Sequence, residues 1–109
     1  MGFDSVEGVM RLTRDQISAI LDATTGIGGR EADVLLFGSR LDDSARGGDV
    51  DLIIETDAGL TVLERAQMKA TLEARLGLPV DIVAVARRRG LTPFQRIAKS
   101  HAVRLEDHP

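Results

Sequence analysis

Two short β-branched runs, Val50-Asp51-Leu52-Ile53-Ile54 and Val80-Asp81-Ile82-Val83-Ala84-Val85, are separated by a helix-sized segment, and this arrangement most narrows the folds open to the chain. Thr61 and Glu64 form a capping box, and the helix it opens is expected to reach about Leu76, with Gly77 as its C-cap and Pro79 just beyond. Strands joined through a helix of about sixteen residues are expected to be parallel neighbours. A second capping box, Thr13 with Gln16, precedes Ile17, Ile20 and Leu21 at helical spacing, which predicts a helix over about 14–25 that ends at Gly26. Val34-Leu35-Leu36-Phe37 is a continuous apolar run closed by Gly38, too short for a helix and so read as a buried strand over 33–37. The following GSRLDDSARGG has loop composition, and the next strand is placed at 49–55. A third box, Thr92-Pro93-Phe94-Gln95, opens a last helix to about Ser100, after which Val103-Arg104-Leu105 can add a short extended segment. The expectation is a small α/β domain: a mixed β-sheet with flanking helices in the order αβ(loop)βαβα, without internal repeat or linker.

Composition agrees with a packed domain. The chain has 109 residues, 43% apolar and 28% charged, and a globular chain of this size buries roughly two-thirds of the surface its unfolded form exposes. The first residues are less patterned, so residues 1–12 are expected to form a mobile N-terminal extension and 13–109 a single domain. No apolar run approaches the roughly 20 residues of a membrane helix, and MGFDSVEG is acidic where a signal peptide is basic. A cytoplasmic location without membrane contact is expected. Cysteine is absent, which removes thiolate metal sites and disulfides. A net charge of −3 and only three aromatic residues, all Phe, argue against direct nucleic-acid binding.

The chemistry resides in carboxylates. Side chains alternate along a strand, so Asp49 and Asp51 share a face about 6.5–7 Å apart. If the second and third strands are parallel, Asp81 comes to the same end of the sheet. If the first strand is antiparallel to the second, its end at Gly38 also lies beside Asp49. Gly38 then lets the backbone approach a phosphate closely, and Ser39 offers a hydroxyl and an amide. Phosphoryl transfer is the chemistry that needs such groups together, because Mg²⁺ bridges carboxylates to substrate phosphates.

Phe37-Gly38-Ser39, nine intervening residues and Asp49-Val50-Asp51-Leu52 resemble the signature of the polymerase-β-like nucleotidyltransferase superfamily, and Asp81 sits where that family carries its third carboxylate. The chain is most similar to the minimal, MntA-like nucleotidyltransferases, many of which are paired with a helical HEPN partner that some of them adenylylate as antitoxins. The resemblance implies a nucleotidyltransferase fold, two Mg²⁺ ions and an NTP substrate, with ATP as the expected donor of AMP. It further implies Asp49, Asp51 and Asp81 as catalytic metal ligands, Gly38, Ser39 and Arg40 at the nucleotide, and a HEPN-type protein as acceptor. A solvated Arg40 is the alternative at that position. The competing function is a non-catalytic module that neutralises a HEPN partner by contact alone.

The remaining polar groups have ordinary readings. Asp42 and Asp43 are expected as turn or cap residues. Arg87-Arg88-Arg89 reads as a solvated run, with contact to an acceptor or partner as its alternative. His101 and His108 have no metal-ligand neighbours in sequence. The chain contains no Tyr, so a tyrosine acceptor must belong to another protein.

Overall fold

In the computed structural model, residues 12–37 and 49–105 are described. Helix α1 (Arg14–Gly28) leads into β1 (Asp33–Phe37). Beyond residue 48 come β2 (Val50–Thr56), α2 (Val62–Leu76), β3 (Val80–Ala86), a 3-10 turn (Arg87–Arg89), α3 (Pro93–Ser100) and β4 (Val103–Arg104). All three capping boxes form: Thr13, Thr61 and Thr92 accept from the backbone amides of Gln16, Glu64 and Gln95, whose side chains accept from the threonine amides in return. Each satisfies two amide groups that a helix start leaves without a partner.

The first helix runs past its expected end. Gly26 keeps the helical path, and termination comes at Gly29, whose φ of 97° only glycine adopts cheaply. Of Gly26, Gly28 and Gly29, the backbone uses the last to turn the chain toward β1. Gly77 behaves as expected, closing α2 in the left-handed conformation.

The four strands lie in the order β3-β2-β1-β4, with β1 antiparallel to β2 and to β4 and β2 parallel to β3. The mixed sheet is the predicted one, and its short fourth strand closes the edge of β1. Alternation divides the core in two. Val34, Leu36, Val50, Leu52, Ile54, Val80 and Ile82 pack beneath α1 and α2 against Ile17, Ile20, Met68 and Leu72. On the opposite face Leu35, Ile53 and Val85 pack against Ala98 of α3. Each large aliphatic side chain so enclosed contributes about 1.5–3 kcal/mol. Leu12, at the boundary of the expected extension, is buried in the larger cluster, as is Leu105 just after β4; residues 1–11 lie outside the described residues.

The arginine run is not uniformly solvated. The guanidinium of Arg87 donates to Asp33 Oδ2 at 2.8 Å, Asp57 Oδ1 at 3.1 Å, and the carbonyls of Glu31 (2.6 Å) and Glu55 (3.2 Å). It therefore joins the start of β1, the end of β2 and the end of β3, while Arg88 and Arg89 remain exposed. Arg104 of β4 reaches the other oxygen of Asp33 at 2.6 Å. Replacing Arg87 by Ala is expected to cost about 1–2 kcal/mol, lowering the melting temperature by about 4–8 °C per kcal/mol, whereas Arg88→Ala should leave it essentially unchanged. Equal melting temperatures for the two variants would contradict this role for Arg87.

Candidate active site

Strand β2 is the interior of the sheet, paired on both edges and covered on both faces. Six of its seven residues are buried; the exception is Asp51, which is half-buried. A carboxylate in such a strand costs desolvation and has to be sought by something other than packing. Its register partners are Phe37 on β1 and Asp81 on β3, so Phe37, Asp51 and Asp81 form one row across the sheet. The next rows on that face are Leu35, Ile53, Val83 and then Asp33, Glu55, Val85, where α3 packs. Helix α3 thus forms a wall next to the carboxylates on the same face.

Asp51 and Asp81 are register partners on one face, and Asp81 and Asp49, immediately before β2, are both near enough to act on the Asp51 carboxyl. Burial first, then the charge of Asp81, then that of Asp49, push the Asp51 carboxyl above its ordinary pKa. Asp81 is more open, its side chain 65% exposed. The sheet therefore brings together Asp51 and Asp81, with Asp49 at their side.

Helix α2 secures the start of β3. Glu73 accepts the amide of Val80 at 2.8 Å and the Lys69 ammonium at 3.0 Å. Lys69 also donates to the Val80 carbonyl and lies 3.9 Å from Asp81 Oδ1. The Val80 amide, then Lys69, hold the Glu73 carboxyl below the usual carboxylate range. Neither residue stands out in the sequence, because their role depends on α2 lying along the free edge of β3. Lys99 of α3 is a second such case, pairing at 2.6 Å with the buried Glu55.

Gly38, Ser39 and Arg40 lie outside the described residues, as do Asp42, Asp43 and His108. The last described residue before them, Phe37, is the partner of Asp51. His101 is exposed at the end of α3, away from the three aspartates in sequence and element.

The donor chemistry fits a hard divalent cation: oxygen ligands only, and a carboxyl pair whose mutual repulsion such a cation offsets. Among the described residues, however, no three His, Asp or Glu side chains converge closely enough to make a ready cation site. What the sheet supplies is a pair with a third carboxylate alongside.

A family model described as the nucleotidyltransferase domain matches residues 17–108. A solved structure provisionally described as a minimal nucleotidyltransferase is similar with a TM-score of 0.56 and 30% identity, covering 84% of this chain and 95% of the other. No curated protein matches the chain.

The raised pKa of Asp51 has a consequence for stability. The native state holds this proton more tightly than the unfolded chain, so stability falls as pH rises from the ordinary Asp value, about 4, through the native one, and the deficit is complete above it. Without divalent cations, Asp51→Asn should therefore melt above wild type at neutral pH, with the difference vanishing toward about pH 4. Thermal denaturation followed by circular dichroism in EDTA at both pH values tests this; a difference independent of pH would contradict it.

Proposed function

Because the chain belongs to the nucleotidyltransferase domain family, whose general chemistry is transfer of a nucleotidyl group from an NTP, we propose that it moves AMP from ATP to a hydroxyl of a separate acceptor protein. The observation that carries this reading is the half-buried Asp51, register-paired with Asp81 in an otherwise buried central strand. Such a placement is costly for folding and suited to phosphoryl chemistry.

In the proposed reaction the acceptor oxygen bonds to the α-phosphorus, the bond from that phosphorus to the bridging oxygen breaks, and pyrophosphate leaves. Asp81, exposed at the edge strand, faces an approaching acceptor and is assigned the hydroxyl proton. Asp49 and Asp51 are assigned the nucleotide side. Magnesium ions, two by resemblance, would be held by Asp49, Asp51 and Asp81 and would supply charge neutralisation at the phosphates and the attacking oxygen. Gly38, Ser39 and Arg40 are assigned to the triphosphate by the same resemblance. Lys69 and Glu73 keep the start of β3, and with it Asp81, in register with β2.

The MntA-like resemblance supports a HEPN-type protein as acceptor, and the absence of Tyr from this chain means that a tyrosine acceptor would be the partner's. No helix among the described residues is long and apolar enough to cross a membrane.

Calorimetry with ATP should give clearly tighter binding in Mg²⁺ than in EDTA, and equal affinities would remove the metal from the reading. Asp81→Asn should leave ATP binding nearly intact while transfer from α-phosphate-labelled ATP to the acceptor falls about 100-fold or more, equivalent to about 2.7 kcal/mol of transition-state stabilisation. Undiminished transfer by folded Asp81→Asn protein would remove Asp81 from the centre.

A further inference from the structure

Lys69 reaches the carboxylates from the far side of the sheet. Met68 and Leu72, four residues apart on α2, are fully buried against the face that carries Val80 and Ile82. Lys69 and Glu73 follow them by one residue each, so they emerge side by side at the margin of the helix, where i,i+4 neighbours meet. Asp81 lies on the opposite face, the one it shares with Asp51. The Lys69 ammonium therefore approaches Asp81 around the outer edge of β3, and the Asp81 side chain stays 65% exposed.

Three oxygens surround that ammonium: Glu73 Oε2 at 3.0 Å, the Val80 carbonyl, and Asp81 Oδ1 at 3.9 Å. The first two hold it, since each accepts a hydrogen bond, whereas Asp81 is met at ion-pair distance only. Glu73 is itself fixed by the amide of Val80 at 2.8 Å, which ties the position of the ammonium to the start of β3. Among the described residues, Lys69 is the one cation that pairs with any of the three aspartates. Its charge is thus shared between a carboxylate that anchors it and a carboxylate of the candidate site.

We propose that Lys69, held by Glu73, is a positioning residue that serves as the built-in counter-ion of Asp81 and lowers the affinity of the Asp51 and Asp81 pair for a free divalent cation. A positive charge 3.9 Å from one oxygen of the pair offsets part of the attraction that a second cation would feel there. Both Lys69 and Asp81 are partly in water, so the effect is a reduction in affinity and not exclusion. The phosphates of a nucleotide bring further oxygens and negative charge, so the pair favours a cation that arrives with phosphates over one that arrives alone. The inference deepens the proposed function and rests on its assignment of Asp51 and Asp81 to cation binding.

The test measures cation binding, not transfer. The probe is Mn²⁺, which shares the preference of Mg²⁺ for carboxylate oxygen, titrated into the full chain without nucleotide and followed by electron paramagnetic resonance. Lys69→Met removes the charge and should tighten Mn²⁺ binding about threefold or more, whereas Lys69→Arg keeps the charge and should bind close to wild type. Glu73→Gln removes the carboxylate that draws the ammonium away from Asp81, and should weaken binding by a similar factor. Both Lys69→Met and Glu73→Gln cut the same link between α2 and β3, so a merely structural role would move them in one direction. Opposite directions mark the role of charge. In an Asp81→Asn background Lys69→Met should have far less effect, as the double-mutant cycle requires. Circular dichroism verifies that the variants fold, and Glu73→Gln carries the test if Lys69→Met does not. The proposal is overturned if folded Lys69→Met binds Mn²⁺ no more tightly than wild type, or if folded Glu73→Gln does not weaken binding. A loss of affinity in Asp81→Asn with no gain in Lys69→Met removes the role of Lys69 alone; unchanged affinity in Asp81→Asn removes Asp81 from cation binding, and the inference with it.

Discussion

Enclosure of β2 determines the rest of the structure. With β1 and β3 on its edges, α1 and α2 over one face and α3 over the other, its side chains have few routes to water. That enclosure holds the two core clusters in a common frame. It also makes a charged residue within the strand conspicuous. Asp51 can remain only at the end of the strand, where the cover of α3 gives way to the row formed with Phe37 and Asp81. The same constraint concentrates the polar chemistry at one end and leaves the other to the Arg87 network.

The electrostatics at the two ends differ in kind. Around Arg87, one cation meets two carboxylates and two carbonyls, and the charges are largely answered inside the fold. At the aspartates the balance is negative: the Asp51 pKa is raised by burial and then by its neighbours, and the nearby cation, Lys69, is mainly engaged with Glu73 and the Val80 carbonyl. Charge around Arg87 is satisfied within the fold, whereas the negative charge at the aspartates is only partly answered among the described residues.

Most of the architecture was legible in the sequence because its signals are local. A threonine with Glu or Gln three residues on satisfies its own helix start, and β-branched alternation on either side of a helical segment leaves little but a parallel pair. The placing of Asp81 at the same end of the sheet as Asp49 and Asp51 followed from that grammar; the register that makes Asp51 its direct partner did not. The true end of α1 did not, because three candidate glycines were chemically equivalent until the path to β1 chose Gly29. Arg87, Lys69 with Glu73, and Glu55 with Lys99 were illegible for a different reason. Each is an interaction between elements, and an arginine in a run of three looks no different from its neighbours until the fold places carboxylates around it. The Gly38-Ser39-Arg40 part of the expected site rests on motif resemblance alone, since those residues lie outside the described ones.

The two-residue strand β4 also bears on how the protein is made. It pairs with β1 from a distance of roughly seventy residues, and Leu105 immediately after it donates its amide to Val34 and fills the main core. A chain emerging from the ribosome can form α1, the β1–β2 pair and the β2–α2–β3 unit before residues 103–105 are available. Until residue 105 has cleared the exit tunnel, β1 presents an unpaired apolar edge and the core lacks one of its buried leucines, the condition in which strands recruit other chains. Arrival of β4 therefore closes that edge, and the interval before it is when the nascent protein most needs protection from its neighbours.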